Sequence, residues 1–152
     1  ALLLLDDRVA LAAATGADGV HLGKGDMAPA EARKILGEGK IIGSTANSFA
    51  DIGKIADARA SDYLGVGPLR FTTTKKRLAP TLGLDGYREI FALMAAEGID
   101  LPVVAIGGVT PADVEPLRRA GAQGVAVSGD IRRAPSPAGR TREYLEKFNN
   151  TL

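Results

Sequence analysis

Short apolar runs alternate with longer amphipathic stretches along the whole 152-residue chain. Each run is brief, continuous and often β-branched, which is typical of strands buried on both faces of a parallel sheet. The predicted strands are Ala1–Leu5, Gly19–Gly23, Lys40–Gly43, Tyr63–Gly67, Pro102–Gly107 and Gly124–Ser128. The predicted helices are Val9–Thr15, Pro29–Leu36, Ser48–Ala58, Leu84–Glu97, Pro111–Ala120 and Pro137–Asn149. This alternation predicts an α/β fold with right-handed crossovers.

A similar turn precedes several predicted strands. Gly16–Val20 and Gly121–Val125 resemble each other, and Ser61–Tyr63 occupies the same place in another unit. Such a repeat, with glycine ending the helix, is typical of a TIM-type (β/α) barrel. A complete barrel has eight units in ~250 residues, or ~200 when compact. We therefore expect one barrel domain over residues 1–152 with about six of eight units. Because Ala1 is predicted to lie inside a strand, a missing start is favoured over the alternative, an open doubly wound sheet.

The composition narrows the functional classes. Lys and Arg total 19 and Asp and Glu total 18, a net charge of +1, so charge gives no reason to expect nucleic acid or a membrane as partner. The chain has no cysteine, which excludes disulfides, thiolate nucleophiles and Cys-ligated zinc. The apolar run Ala1–Leu5 is too short to span a membrane and lacks the basic start of a targeting segment. We expect a cytoplasmic protein that acts on small molecules.

Acidic residues follow the first two predicted strands. Asp6 and Asp7 come after the first strand, and Asp26 closes the segment after the second. Functional sites in parallel α/β folds form at the carboxyl ends of strands. Two carboxylates there suit Mg²⁺, which proteins bind through one or two carboxylates and substrate phosphates. The alternatives are a helix N-cap for Asp7 and a turn residue for Asp26.

The connection after the fourth predicted strand, from about Pro68 to Gly83, is the most unusual stretch of the chain. It contains the run Thr72, Thr73, Thr74, Lys75 and Lys76. Hydroxyls and lysine ammonium groups suit a phosphate or pyrophosphate, and long loops in compact domains are often functional lids. The alternative is a solvated basic loop.

Glycine-containing loops follow the last two predicted strands, at Gly107–Pro111 and Ser128–Asp130. Glycine allows the backbone to approach an anion, and a following helix supplies free N–H groups. Paired loops of this kind form the usual phosphate site of (β/α) barrels. The only histidine, His21, lies in the middle of a predicted strand, where a core histidine is favoured over a catalytic one.

Three segments together resemble the thiamin phosphate synthase family in order and spacing. They are Ala17–Gly23, Gly65–Pro68 with Thr72–Lys76, and Val104–Thr110. The resemblance implies a (β/α)8 barrel that joins hydroxymethylpyrimidine diphosphate to a thiazole phosphate with Mg²⁺ and releases pyrophosphate. It also implies dissociative chemistry, in which the thiazole nitrogen captures a pyrimidine cation. Such a reaction needs charge stabilisation of the leaving group more than a general base.

The resemblance also assigns roles by position. It implies that Asp7 and Asp26 bind Mg²⁺, and that Thr72, Thr74 and Lys75 take part in catalysis. The implied substrate-binding residues are Asp6, Thr45, Thr72, Thr74, Lys75, Gly108, Ser128 and Gly129. Within that set, Gly108, Ser128 and Gly129 correspond to the backbone cradle of the thiazole phosphate.

Several positions depart from the family pattern. Asp6 replaces an Asn, and we expect Lys24, which replaces a Gln, to offset the added charge. Thr45 replaces a Ser and keeps its hydroxyl, while Arg70-Phe71 replaces an aromatic-proline pair. The two initial strands and an early basic strand that helps hold the pyrimidine diphosphate are absent. We therefore expect weaker binding of that substrate than of the thiazole phosphate.

Two alternatives to the synthase remain open. One is the related thiazole tautomerase, an isomerase whose acting histidine corresponds to Asn47 here. The other is a non-catalytic phosphate-binding remnant. Related barrels are often dimers, and open strand edges at Ala1–Leu5 and Gly124–Ser128 would favour association, so we expect a homo-oligomer as one outcome.

Overall fold

The computed structural model describes residues 1–71 and 80–150. Its strands form one parallel sheet of six strands in sequence order. The strands are β1 (Leu4–Asp6), β2 (Gly19–Leu22), β3 (Ile41–Ala46), β4 (Tyr63–Val66), β5 (Val103–Ile106) and β6 (Gly124–Ala126). The helices are α1 (Val9–Thr15), α2 (Pro29–Leu36), α3 (Phe49–Ala58), α4 (Gly83–Ala96), α5 (Pro111–Ala120), α6 (Gly129–Arg132) and α7 (Pro137–Asn149).

The strand order distinguishes between the two predicted architectures. A doubly wound sheet reverses its strand order partway, whereas here each strand pairs in parallel with the next one along the chain. The doubly wound alternative is therefore wrong. The α/β class and the six repeated units are confirmed, while closure into an eight-stranded barrel lies beyond what the described residues show. None of the helices within those residues is long and apolar enough to cross a membrane.

Three predicted details are wrong. Ala1–Leu3 lies outside the sheet, with Leu2 and Leu3 69% and 58% exposed, because Leu3 pairs with the turn before β2 rather than with a strand. β3 continues to Ala46, since Thr45 and Ala46 pair with β4. The short helix α6 begins at Gly129, where the sequence predicted only a loop.

Alternate strand residues face opposite sides of the sheet, and one side forms the core. Val20, Leu22 and Ile42 are fully buried with residues of α1 and α2. A larger cluster packs α4, α5 and α7 against Leu64 and Val66 and the strands beside them. The residues between these apolar positions lie on the opposite, inner face, and that face carries polar side chains.

The repeated turn seen in the sequence has a repeated hydrogen-bond pattern. The residue before each even-numbered strand forms two hydrogen bonds with one residue that lies at the start of the preceding strand or directly before it. Its side-chain oxygen accepts the N–H of that residue, and its own N–H donates to the same residue's carbonyl. The three pairs are Asp18 with Leu3, Asp62 with Ile42, and Gln123 with Val103.

Candidate functional site

Asp7 lies at the carboxyl end of β1 in an uncommon backbone conformation. Its φ is 61°, which aspartate tolerates better than most residues and which occurs often at functional sites. Its N–H donates to the carbonyl of His21 at 3.0 Å. Helix α1 has Arg8 at its N-cap, with no side-chain cap bond, so the N-cap alternative for Asp7 is wrong. Among the described residues no salt bridge involves its exposed carboxylate.

Asp26 lies at the carboxyl end of the adjacent strand. Its Oδ2 accepts the N–H of Gly23 at 2.6 Å, so the turn interpretation is confirmed. β1 and β2 pair in parallel with Asp6 opposite His21, which places Asp7 and Asp26 at the same edge of the sheet. The described residues contain no cluster of three or more His, Cys, Asp or Glu side chains suited to a metal. A hard cation here would need substrate or water oxygens to complete its coordination.

Lys24 does not offset the charge of Asp6 as the sequence suggested. Its ammonium group lies 2.8 Å from the Asp51 carboxylate in the first turn of α3. Burial alone would raise the pKa of Asp51, but hydrogen bonds from Lys24 and from the N–H of Asn47 outweigh it and lower the pKa. The pair therefore joins the loop after β2 to the start of α3.

Three side chains form a hydrogen-bonded chain on the inner face of the sheet. His21 Nδ1 lies 2.9 Å from the Tyr63 hydroxyl, and His21 Nε2 lies 2.9 Å from Thr45 Oγ1. Both ring nitrogens are thus hydrogen-bonded, as expected for a core histidine. The chain also reaches Thr45, a predicted substrate contact, so this histidine belongs to the site as well as to the interior.

Two glycines on neighbouring strands make room for these rings. A side chain at Gly43 would overlap the Tyr63 ring, and a Cβ at Gly65 would lie 2.7 Å from His21 Cε1. Burial raises the pKa of the Tyr63 phenol, and the negative charge of Asp6 raises it further. The phenol therefore keeps its proton. Asp6, a predicted substrate contact, acts on this cluster through its charge.

Thr72, Thr74 and Lys75, the predicted catalytic residues, lie outside the described residues, but the start of their loop is described. The N–H of Leu69 donates to the carbonyl of Ile106 at 2.9 Å, and the N–H of Arg70 donates to that of Gly107 at 2.9 Å. The first residues of this loop are therefore bound to the turn after β5.

The Arg70 side chain strengthens the same connection. Its guanidinium donates to the Gly108 carbonyl at 2.9 Å and forms a bidentate ion pair with Asp113. Asp113 Oδ2 also accepts the N–H and hydroxyl of Thr110, at 2.8 and 2.7 Å. Burial alone would raise the pKa of Asp113, but the hydrogen bonds from Arg70 and Thr110 lower it to about 2.

The turn after β5 requires glycine for packing as well as for any ligand. Gly107 and Gly108 have φ values of 94° and 72°, a region that L side chains rarely adopt. A Cβ on Gly107 would lie 2.6 Å from Pro68 Cβ, and one on Gly108 would lie 3.2 Å from Arg70 Cβ. The backbone conformation and packing of this turn therefore require glycine at position 108 whether or not Gly108 also binds phosphate, as the sequence predicts.

Ser128 and Gly129 begin α6 at the carboxyl end of β6. Ser128 occupies the N-cap position without a side-chain cap bond, and a Cβ on Gly129 would lie 2.8 Å from the Arg133 guanidinium. Tyr144 of α7 joins this segment to the turn after β5, since its hydroxyl lies 2.9 Å from both the Val109 carbonyl and Asp130 Oδ2.

Asn47 lies where the tautomerase alternative requires a histidine. Its Nδ2 donates to the Gly67 carbonyl, which ties the end of β3 to the end of β4. An amide has no proton that titrates near neutral pH. The position therefore offers no acid or base to an isomerase.

Sequence reasoning missed Tyr63 and the Arg70–Asp113 pair. Tyr63 was assigned only to a strand, although the glycines in neighbouring strands could have indicated that a large ring lies over them. The ion pair joins residues 43 positions apart, and no local pattern indicates such a contact.

An in-order parallel sheet, with carboxylates after two strands and glycine turns after two others, is typical of proteins with a (β/α) barrel fold. A family model described as thiamine monophosphate synthase matches residues 1–131. The chain belongs to this family. It is 54% identical over 145 residues to the thiamine-phosphate synthase of Bacteroides thetaiotaomicron, an alignment covering 95% of this chain and 69% of the relative.

Solved structures agree with this assignment. The thiamine phosphate pyrophosphorylase of Pyrococcus furiosus superposes with a TM-score of 0.85 at 34% identity, covering 100% of this chain and 69% of that one. A 3-hexulose-6-phosphate synthase superposes with a TM-score of 0.61 at 21% identity, covering 92% of this chain and 66% of that one. The second likeness shows a shared fold alone.

Proposed function

We propose that this protein is a transferase of thiamin biosynthesis. It joins hydroxymethylpyrimidine diphosphate to a thiazole phosphate and releases pyrophosphate, in the cytoplasm. One observation carries the proposal: Asp7, Asp26, Thr45 and two glycine turns all lie at the same edge of the sheet. The chain that forms this sheet belongs to the thiamine monophosphate synthase family. Small phosphorylated substrates fit this edge, because it combines oxygen ligands for a metal with backbone N–H groups for phosphate.

The proposed reaction breaks one bond and forms one. The bond between the pyrimidinylmethyl carbon and the diphosphate oxygen breaks, and its electron pair leaves with pyrophosphate. The lone pair of the thiazole nitrogen then forms the new carbon–nitrogen bond. No proton moves at the reacting atoms, so the site must position two substrates and stabilise negative charge. This requirement fits a site whose only histidine is hydrogen-bonded to Tyr63 and Thr45.

The donor set of Asp7 and Asp26 fits Mg²⁺, because both are exposed carboxylates without a salt-bridge partner in the described part of the chain. When bound, Mg²⁺ would neutralise charge on the diphosphate as it leaves. In this proposal the Thr45 hydroxyl donates to the same diphosphate. Thr72, Thr74 and Lys75 are assigned to it by the family resemblance.

The second phosphate is assigned to the turns after β5 and β6. Backbone N–H groups at Gly108 and Gly129 would donate to the thiazole phosphate, and the exposed Ser128 hydroxyl is a further donor. The hydrogen bonds from Leu69 and Arg70 to the turn after β5 bring the start of the threonine-lysine loop beside it. Both substrates would therefore bind next to each other.

The test is turnover by the purified protein with both substrates and Mg²⁺. We expect thiamin phosphate and pyrophosphate to form in equal amounts, with no product when either substrate is omitted or the metal is chelated. Rearranged thiazole in the absence of the pyrimidine would indicate the tautomerase instead. Binding of the thiazole phosphate without turnover would indicate a non-catalytic protein. Either of those results would overturn the proposal.

A further inference from the structure

We infer that Arg70 is a positioning residue that directs two neighbouring backbone N–H groups, those of Gly108 and Val109, toward the phosphate of the thiazole. The family resemblance assigns Gly108 to this phosphate, whereas it gives no role to Val109 or Arg70. The direction of the two N–H groups follows from contacts of the described residues. That the anion they bind belongs to the thiazole rests on the proposed function.

Arg70 holds both of the peptide groups that flank Gly108. Its backbone N–H donates to the Gly107 carbonyl at 2.9 Å, and its guanidinium donates to the Gly108 carbonyl at 2.9 Å. The guanidinium is held in turn by its bidentate ion pair with Asp113 in the first turn of α5. One residue after β4 therefore fixes the direction of two consecutive carbonyls in the turn after β5.

The direction of each carbonyl determines the direction of the N–H that follows it. Both peptide groups are trans, and in a planar trans peptide the C=O and the N–H point to opposite sides. Because the carbonyls of Gly107 and Gly108 point at Arg70, the N–H groups of Gly108 and Val109 point away from it. Successive backbone N–H groups that are directed together form a concavity that suits an anion.

These two N–H groups have no hydrogen-bond acceptor among residues 1–71 and 80–150. Val109 is only 3% exposed, and a buried backbone donor without an acceptor is costly. The carbonyl of Val109, by contrast, accepts the Tyr144 hydroxyl at 2.9 Å. The turn therefore satisfies its carbonyls within the protein and leaves its N–H groups to another acceptor, for which a phosphate oxygen is suited.

The contacts of Arg70 favour a role in geometry over direct binding of the phosphate. Its Nη1 donates to the Gly108 carbonyl and to Asp113, and its Nη2 also donates to Asp113. The positive charge is therefore paired, and most of the donors that form the guanidinium fork are in use. A guanidinium bound in this way has little left to offer a nearby anion.

The Gly108 backbone is the part of the turn that most needs to be held. Its φ is 72°, and glycine has more conformational freedom than any other residue. Without the arginine side chain, the peptide group between Gly108 and Val109 is free to rotate, and its N–H then spends part of the time pointing elsewhere. Donors that are oriented before the ligand arrives bind it more tightly, because no ordering is needed on binding.

The first test measures phosphate binding at the turn itself. Inorganic phosphate is added to ¹⁵N-labelled protein, and the amide signals of Gly108 and Val109 are followed by NMR. We expect both signals to shift, with one common Kd. Signals that do not respond, or that respond at different phosphate concentrations, would overturn the inference whether or not the protein shows turnover.

The second test separates geometry from charge. Arg70→Lys keeps the positive charge, but an ammonium group cannot reproduce the planar fork that contacts both Gly108 and Asp113. Arg70→Gln removes the charge and the fork together. We expect the Kd for inorganic phosphate, read at the same amide signals, to rise about tenfold in both variants. Normal phosphate affinity in Arg70→Lys would mean that the arginine acts through its charge, and the inference would be wrong.

A control variant distinguishes this effect from a general loss of structure. Gln123→Leu removes a hydrogen bond to Val103 at the opposite end of β5, so it should lower stability and leave the phosphate affinity unchanged. An equal loss of phosphate affinity in Gln123→Leu and Arg70→Gln would contradict a specific role for Arg70.

A second ligand shows whether Arg70 acts on the glycine turn or only anchors the threonine-lysine loop. We expect the affinity for Mg²⁺-pyrophosphate to fall less than about threefold in the Arg70 variants, and equal losses for the two ligands would overturn the inference. None of these measurements needs turnover. A protein that binds phosphate as expected but forms no thiamin phosphate would support this inference and overturn the proposed function.

Discussion

Arg70 connects two loops of the site through one side chain. Its guanidinium contacts the Gly108 carbonyl and the Asp113 carboxylate, and Asp113 also caps α5 through Thr110. Bidentate arginine–carboxylate pairs fix orientation as well as contributing energy. The pair therefore holds the start of the threonine-lysine loop on the glycine turn after β5.

We predict that Arg70→Gln lowers the free energy of unfolding by about 1–2 kcal/mol at pH 7, a modest loss because the arginine is half exposed. The folded pKa of Asp113 is lowered to about 2, below its value in the unfolded chain. The contribution is therefore complete above about pH 4 and lost as the pH falls through about 2. Urea unfolding across that range measures it. Arg88→Gln, which breaks the exposed pair with Asp85, is the matched control and should change little.

Asp26 offers a clean test of the metal site. Asp26→Asn keeps an oxygen that can accept the Gly23 N–H and removes only the charge. We predict that the Mg²⁺ concentration needed for half-maximal activity rises about tenfold or more, while the melting temperature stays the same. Asp85→Asn, which neutralises an exposed carboxylate on α4, is the control. An unchanged Mg²⁺ titration in Asp26→Asn would remove this residue from the site.

A substitution at Gly129 tests phosphate binding more cleanly than one at Gly108. Gly108 has a φ of 72°, so any side chain there would also strain the backbone. The three atoms nearest to a Cβ on Gly129 all belong to the guanidinium of Arg133, the far end of a long side chain that can rotate away. We predict that Gly129→Ala raises KM for the thiazole phosphate about tenfold without lowering stability. Gly53→Ala, a helix position with no atom within 4 Å of the added Cβ, is the control. A normal KM in Gly129→Ala would mean that the turn does not cradle phosphate.

At the residue scale, the sequence could indicate which side chains follow each strand but not their partners. The turn role of Asp26 was predicted because a side chain that binds backbone three residues away is a local pattern. The partner of Lys24 was predicted wrongly, because its ion pair with Asp51 depends on how β2 and α3 lie together. The chain Tyr63–His21–Thr45 crosses three strands, and only the sheet register brings it together.

At the element scale, the three paired turns before β2, β4 and β6 divide the sheet into strand pairs. Each turn supplies hydrogen-bond partners to one N–H and one carbonyl at the start of the preceding strand or directly before it. Buried backbone groups are costly when left unpaired. The repeated turn in the sequence, which predicted a barrel, therefore provides the same two backbone hydrogen bonds at three places in the sheet.

Gln123 tests this interpretation without disturbing an ion pair. Val103 is fully buried, and its N–H has the Gln123 side-chain oxygen as acceptor at 2.7 Å. We predict that Gln123→Leu lowers the free energy of unfolding by about 1–3 kcal/mol. Gln123→Glu keeps an acceptor and should lose much less. Equal stability of the leucine variant and the unmodified protein in urea unfolding would refute the role assigned to this turn.

Helix positions were predicted more accurately than strand ends. α1, α2, α5 and α7 have the predicted bounds, because each has a local signal at one end or both. Proline occupies the first position of α2, α5 and α7, and glycine follows the last residue of α1, α2 and α5. The end of a strand depends on how far the neighbouring strand provides backbone hydrogen-bond partners for it. Leu2 and Leu3 are apolar but have no strand neighbour, whereas Thr45 and Ala46 gain one in β4.

At the scale of the whole molecule, the in-order parallel sheet brings all of its strand carboxyl ends to one edge. The sequence could predict that the strand ends share one edge. Repeated strand–helix units with right-handed crossover connections allow few other arrangements of the strands. How far apart the loops lie on that edge could not be predicted, since it depends on sheet curvature and on contacts such as those of Arg70 and Tyr144.

Both substrates are proposed to bind side by side at this edge of the sheet. A crystal structure of the protein with Mg²⁺, pyrophosphate and thiamin phosphate would show their positions. We expect the metal at about 2.0–2.1 Å from carboxylate oxygens of Asp7 and Asp26. We also expect the thiazole phosphate within hydrogen-bond distance of the backbone nitrogens of Gly108 and Gly129. Ligands bound at the opposite edge of the sheet, or a metal that touches neither carboxylate, would overturn the proposed function.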